Sequence, residues 1–259
     1  MGLSHLRNDH DLVADAIGDS PESAIPTHLL RRGLASAYVD GSLARFDGVI
    51  VQSHSLPQEP WCFGRSPDSV WGLLRELEEW GRQPISPNVS AELAVPLSDL
   101  IEKDANVRVT HYGDVYHTLT GRIIGFSTPE VRQLVLTDSD LLAAHESNPH
   151  RMGYSTFEDL LTEGVVAGVV VQNELVAVAH TNAVTTGYGD IGVFTDEAWR
   201  GRGFATAAAS IVAHRIREMD RTPVWSAGED NAASLRVAAK LGFVEVSRRV
   251  YLNVGVLAT

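Results

Sequence analysis

Cysteine is all but missing from this chain of 259 residues; Cys62 is the only one. An intramolecular disulfide is therefore excluded, and so is a metal site built on several thiolates. In the setting Trp61-Cys62-Phe63 the thiol reads as a small core group rather than a nucleophile. Positive charge is also scarce: 21 Lys and Arg stand against 33 Asp and Glu, for a formal net charge of -12. Such a surface repels phosphate backbones, and the basic residues do not cluster, since Arg31-Arg32 and Arg248-Arg249 are isolated pairs. Nucleic acid is not an expected partner, and the acidity reads as solubility. Long apolar runs are lacking, so no segment reads as a membrane span. The opening MGLSHLRNDHDLV has no signal-peptide core, and Leu6 stands where a myristoylation signal needs Ser or Thr. A cytoplasmic protein with neither a membrane partner nor a metal cofactor is the expectation.

What is present is a patterned α/β sequence. The C-terminal half reads most clearly. A strand from Val131 runs into a helix start, and Ser155-Thr156-Phe157-Glu158 opens a short helix to Leu161. VVAGVVVQN from Val165 and LVAVAHTNAV from Leu175 are β-rich runs, with a tight hairpin at Asn173-Glu174. Asp190 to Thr195 is another strand. Phe204, Ala207, Ala208, Ile211, Val212 and Ile216 then recur at helical spacing and define one buried stripe. Pro223 to Ser226 reads as a strand, Asn231 caps a helix carrying Leu235, Ala238 and Leu241, and Gly242 suits a left-handed C-cap. Phe243 to Val254 is a last strand.

In the N-terminal half, helices are predicted at His28 to Ala35, Val70 to Trp80 and Leu97 to Lys103, and strands at Ala37 to Val39, Gly48 to Gln52 and Val107 to Leu119. Pro84, Pro87 and Pro96 interrupt the middle. Trp71 and Trp80 suit a core role better than ligand stacking. Gly125-Phe126-Ser127-Thr128-Pro129 divides the chain into two expected domains, 1–125 and 126–259.

The chemistry concentrates in one stretch, DIGVFTDEAWRGRGFATAAASIVAHRI. A strand ends near Thr195, Gly201 and Gly203 permit unusual dihedral angles, and a helix follows at once. The first amides of a helix lack intrahelical acceptors and carry the positive end of the macrodipole, which suits a pyrophosphate. Arg200 and Arg202 add positive charge to an acidic chain. A Walker loop is excluded because Gly-Lys-Ser/Thr is absent, and GRGFAT lacks the third glycine of the dinucleotide fingerprint.

Arg200-Gly201-Arg202-Gly203-Phe204-Ala205 resembles the Arg/Gln-x-x-Gly-x-Gly/Ala loop of the GNAT superfamily of N-acetyltransferases. Asn231-Ala232-Ala233-Ser234 with Lys240-Leu241-Gly242-Phe243 resembles that superfamily's Asn-x-x-Ala/Ser and Lys-Leu-Gly-Phe helix. The resemblance covers about Val131 to Leu252, and the run from Asp190 to Phe243 looks most like the zwittermicin-resistance type. It implies an α/β (α+β) fold with a mixed, splayed central sheet flanked by helices, and a second N-terminal α/β domain that could be a degenerate copy. It implies acetyl-CoA as co-substrate and the primary amine of a small molecule as acceptor. Val193, Phe194 and Thr195 would pair with the pantetheine, and Gly201, Arg202, Gly203, Phe204, Ala205 and Thr206, with Arg200, would cradle the pyrophosphate. Asn231 and Ser234 would touch the pantetheine arm. The assembly could be a homodimer.

The attacking amine must lose a proton. Asp190 is the first candidate base and His180 the second; Glu197 and Glu229 are loop carboxylates that could act through water. The family's tyrosine, seven residues after the Asn, is here Ala238, which leaves Ser234, Tyr251 or water to serve the departing thiolate. Two other readings stay open: a non-catalytic acyl-CoA-binding regulatory module, and a protein or peptide N-acetyltransferase.

Overall fold

The computed structural model describes residues 4–5, 9–144 and 153–255. Met1, Gly2 and Leu6, read above for a lipidation signal, lie outside them. Two compact units form: Met1–Gly18 with Pro26–Val115 and Arg248–Thr259, and Asp19–Ile25 with Tyr116–Ser247. The sequence division at 125/126 is a single cut. The chain instead enters the second unit twice and closes within the first.

The first unit begins with β1 (Ser4–His5), α1 (His10–Ile17) and α2 (Ala24–Arg31). β2 (Ala35–Ser42), β3 (Arg45–Ser53) and β4 (Trp61–Gly64) follow, then α3 (Pro67–Leu74), β5 (Asn88–Ser90), α4 (Ala91–Ala105) and β6 (Val109–Thr118). β2, β3 and β4 are antiparallel neighbours, while β4 meets β5 in parallel at Trp61↔Asn88 alone. The core gathers Val70, Trp71, Leu73 and Leu74 of α3 and Leu93, Ala94, Leu97 and Ile101 of α4, with Ile50, Cys62 and Val89 from the strands. Cys62 is fully buried and its thiol is pushed up to about 12 by that burial. It is a core group, as its apolar neighbours suggested. Trp71 stacks edge-on against Trp80 at 4.7 Å and donates its indole N–H to Asp104 at 2.8 Å.

Several N-terminal predictions shift. The helix placed at His28 to Ala35 starts at Ala24 and ends at Arg31, because Gly33 turns left-handed (φ 67°) and Ala35 already begins β2. The helix from Val70 ends at Leu74, short of Trp80. Pro96 does not interrupt: it sits inside the fifteen-residue α4 at an exposed position, where the carbonyl it leaves unpaired can be solvated.

The second unit holds β7 (Val131–Gln133), α5 (Ser139–Ala144), α6 (Phe157–Glu163), β8 (Val166–Val171), β9 (Glu174–Val184) and β10 (Tyr188–Thr195). α7 (Phe204–Glu218), β11 (Thr222–Gly228), α8 (Ala232–Leu241) and β12 (Val244–Val254) complete it, β12 ending in the first unit. Its sheet runs β11-β10-β9-β8-β7. β7 to β10 are antiparallel neighbours, and β10 and β11 are parallel with α7 as the crossover. The predicted stripe of α7 is the core contact: Ala207, Ala208, Val212 and Ile216 are at most 1% exposed. The β8–β9 hairpin turns at Gln172 and Asn173, one residue earlier than read. Both have positive φ (52° and 67°), as a type I′ turn requires. The fold class is mixed α+β, with mixed sheets flanked by helices.

Candidate active site

β10 makes the site by losing a neighbour partway along. It pairs with β9 as far as Thr195↔Ala177, but with β11 only at Tyr188↔Thr222, Gly189↔Pro223 and Asp190↔Val224. A register shift against β9 falls between Asp190 and Ile191, and such irregularities bend a strand. From Ile191 onward the two parallel strands diverge. Crevices at the carboxyl ends of parallel strands are where open α/β sheets take ligands.

A cavity of about 620 Å³ opens at that divergence. Val193, Phe194 and Thr195 of β10 form one wall. Trp199, Arg200, Gly201 and Gly203 of the following turn, with Phe204, Ala205 and Thr206 of α7, form another. Asn231, Ala233, Ser234, Arg236, Val237 and Lys240 close it from the start and face of α8.

The turn is built to leave amides free. Gly201 and Gly203 have φ of 78° and 83°, and Gly203 is the N-cap of α7 with no side-chain cap. The first i→i−4 bond of α7 runs from Ala207 N to Gly203 O at 3.0 Å. The amides of Phe204, Ala205 and Thr206 thus precede the helical ladder and belong to cavity-lining residues. Arg200 steadies the turn by donating from Nε to Thr195 O at 3.2 Å. Arg202 behaves differently from its neighbours and is not among the lining residues. Its guanidinium lies 4.5 Å from the Trp199 ring centroid, and Trp199 stacks on Phe204. It supports the turn through cation–π stacking.

On α8, Asn231 Oδ1 accepts from Ser234 N at 3.1 Å, a helix cap as expected. Ser234 Oγ accepts from Trp225 Nε1 at 2.9 Å. Gly242 (φ 97°) ends the helix, and Phe243 folds back against Trp225 at 5.6 Å. Arg236 and Lys240, four apart and so on one face, were not singled out in the sequence, nor was Trp199. Their spacing was legible, but cations on a helix ordinarily read as a solvated face. With Arg200 they make three cations in a cavity that no Asp or Glu lines, in a chain of net charge -12.

The candidate bases stand behind this cavity rather than in its wall. Asp190 is 0% exposed, at the last β10–β11 pair. Its Oδ1 accepts from Asn182 Nδ2 at 2.9 Å and its Oδ2 from Ser226 Oγ at 3.3 Å. Asn182 reaches it because position 192 is glycine: a Cβ there would stand 2.7 Å from Asn182 Oδ1. His180, on β9, is 1% exposed, shares a 3.2 Å hydrogen bond between Nδ1 and Thr181 O, and is pushed down to about 4 by burial. Glu197 and Glu229 are exposed and do not line the cavity. Tyr251 is half-buried in the other unit, and desolvation of its hydroxyl, then Asp114 and Glu59, raise its pKa. Ala238 is 0% exposed core. Among the described residues no cluster of His, Cys, Asp and Glu could hold a metal, and no helix is long and apolar enough to cross a membrane.

Residues 127–250 match the family model described as GNAT acetyltransferase. Among solved structures, the chain is similar to a GCN5-related N-acetyltransferase-like protein from Streptococcus suis, at 18% identity over 95% of this chain and 98% of that one, TM-score 0.68. An acetyltransferase from the GNAT family of Colwellia psychrerythraea matches at 12% identity over 98% and 100%, TM-score 0.62. A tandem GNAT protein from the clavulanic acid biosynthesis pathway matches at 12% identity over 100% and 99%, TM-score 0.59. At these identities the likeness is one of fold. No curated protein matches the sequence.

Proposed function

We propose that this chain, whose residues 127–250 match the family model described as GNAT acetyltransferase, moves an acetyl group from acetyl-CoA to the primary amine of a small molecule by direct attack on the thioester. The observation that carries the reading is the cavity itself: an open strand edge at Val193 to Thr195 beside an uncapped helix N-terminus, with Arg200, Arg236 and Lys240 around it. These residues fit the donor. The α7 amides and the cations would hold its diphosphate, and the β10 edge would pair with its pantetheine amides. Bound there, acetyl-CoA supplies an acyl carbon already activated as a thioester.

The chain's own residues then handle a proton and a charge. In this reading the amine passes its proton to Ser226 Oγ, whose own proton moves to Asp190 Oδ2. Asn182 holds Asp190 from the other side. A backbone N–H near Val193, on the edge that β11 leaves open, would meet the developing oxyanion. His180, buried and held neutral by that burial, serves packing better than proton transfer.

The test is release of free thiol from acetyl-CoA with a panel of amines, amino acids, amino antibiotics and lysine peptides. The antibiotics are included because the run from Asp190 to Phe243 resembles the zwittermicin-resistance type. Turnover on a small amine supports the proposal, and turnover confined to peptides would move the acceptor class. A second reading, a non-catalytic acyl-CoA-binding module, draws on the buried Ala238 in place of the family's tyrosine. Binding of acetyl-CoA with no turnover on any amine would select it.

A further inference from the structure

The buried Ala238 raises the question of what meets the departing sulfur, and the hydroxyl one turn earlier on the same helix is that of Ser234. Ser234 lines the cavity, and its Oγ is 2.9 Å from Nε1 of Trp225. An indole N–H can only donate, so the serine oxygen must be the acceptor. That bond fixes the oxygen and turns the hydroxyl proton away from Trp225. Trp225 is 1% exposed and cannot yield its place. It follows Val224 directly, and Val224 is the β11 residue paired with Asp190 at the last rung before the strands part. Ser234 is thereby anchored to the point where the crevice begins.

We propose that Ser234 is a catalytic hydrogen-bond donor to the sulfur of the leaving coenzyme, with Trp225 as its positioning residue. The inference rests on the acetyl-transfer reading above. In the step, the amine nitrogen bonds to the carbonyl carbon and the carbon–sulfur bond breaks, its electron pair leaving on sulfur. The amine proton goes to Asp190 by way of Ser226. The sulfur departs as thiolate, held by the Ser234 O–H, and takes a proton from water after release. No acid stronger than a hydroxyl is needed, since cysteine-like thiols titrate around 8.5.

The decisive measurement is the thiol pKa of bound coenzyme A, followed by thiolate ultraviolet absorbance, alongside its affinity. In the wild type the thiol should titrate about one pH unit below the free coenzyme, the size expected when a hydrogen bond to a charged group is gained. Ser234→Ala should abolish that shift and lower kcat about tenfold with KM for acetyl-CoA little changed, while Ser234→Thr keeps both. Trp225→Phe, with the hydroxyl released to rotate, should give a smaller shift than the wild type. Because Ser234→Ala strands a buried indole N–H, the Trp225→Phe/Ser234→Ala pair provides a folded background with both partners removed. An unshifted thiol in that pair supports the proposal. A thiol pKa that is the same with and without the Ser234 hydroxyl, in proteins that bind coenzyme A equally, overturns it. A wild type that binds no coenzyme A overturns the acyl-CoA reading itself, a separate result.

Discussion

His180 shows how burial makes one side chain a pH sensor for the whole fold. Unfolded, its imidazole titrates near 6.5; folded, burial on β9 pushes it down to about 4. Because the folded value is the lower one, the stabilising contribution is complete above pH 6.5 and is lost as pH falls toward 4. The loss should reach roughly 3 kcal/mol across that window. Urea unfolding at several pH values should show the decline, and His180→Leu should flatten it; an unchanged slope in that variant would assign the pH dependence elsewhere. Asp190 makes the contrasting case. It too is buried, but two donors, Asn182 and Ser226, meet its two oxygens. On the proposed mechanism it receives the amine's proton, and it should then be sensitive to loss of charge alone. Asp190→Asn should lower kcat by about 10²–10⁴ with coenzyme A affinity retained, the range for removing a general base. Equal loss of binding and turnover would mark Asp190 as structural.

At the scale of elements, the turn into α7 was the most legible part of the sequence, because two glycines between a strand and a strongly striped helix leave few alternatives. Gly201 and Gly203 are indeed left-handed, yet a Cβ on either would meet nothing within 4 Å. Their requirement is conformational rather than steric. Gly203→Ala should therefore cost about 1–2 kcal/mol of stability, the penalty for placing an L-residue in that region. It should also weaken coenzyme A binding, since the cap conformation aims the first amides of α7; calorimetry would separate the two effects. The far wall was less legible. Arg236 and Lys240 sit on an ordinary-looking charged helix, and only the fold turns that face toward a cavity. Arg236→Ala/Lys240→Ala should weaken coenzyme A binding about tenfold or more and blunt its salt dependence, because a phosphate loses two screened cationic partners. Unaltered affinity would confine phosphate recognition to α7 and Arg200. The short strands β4 and β5 escaped the sequence for another reason. Four and three residues are too few to show an alternation, and β5 owes its place to pairing with β12, about 160 positions away.

Over the whole chain, the same order of elements occurs twice. Three antiparallel strands, a helix, a strand parallel to the third and a second helix describe β2 through α4, and again β8 through α8. The two sets differ at the place where the α7 cavity lies. At α7 the helix starts on an uncapped glycine, whereas α3 starts on Ser66, whose side chain accepts from Ser69 N at 3.2 Å, with Pro67 at its first position. One amide there is already taken and another does not exist. Between β10 and β11 the crevice is open, whereas between β4 and β5 it is filled by Arg249. That guanidinium, 2% exposed, donates from Nη2 to Cys62 O at 2.8 Å and Asn88 O at 2.9 Å, and from Nε to Asn88 Oδ1, while lying over Phe63. The backbone edge a pantetheine would use is thus occupied by the chain's own side chain. Coenzyme A should accordingly bind at one site per chain, with the Gly203 and Arg236/Lys240 variants weakening all of it. Titration calorimetry and native mass spectrometry would both report the stoichiometry. Two equivalents per chain, or binding that survives when the α7 cavity is disabled, would mean that the Arg249 plug yields and that the first unit takes a donor of its own.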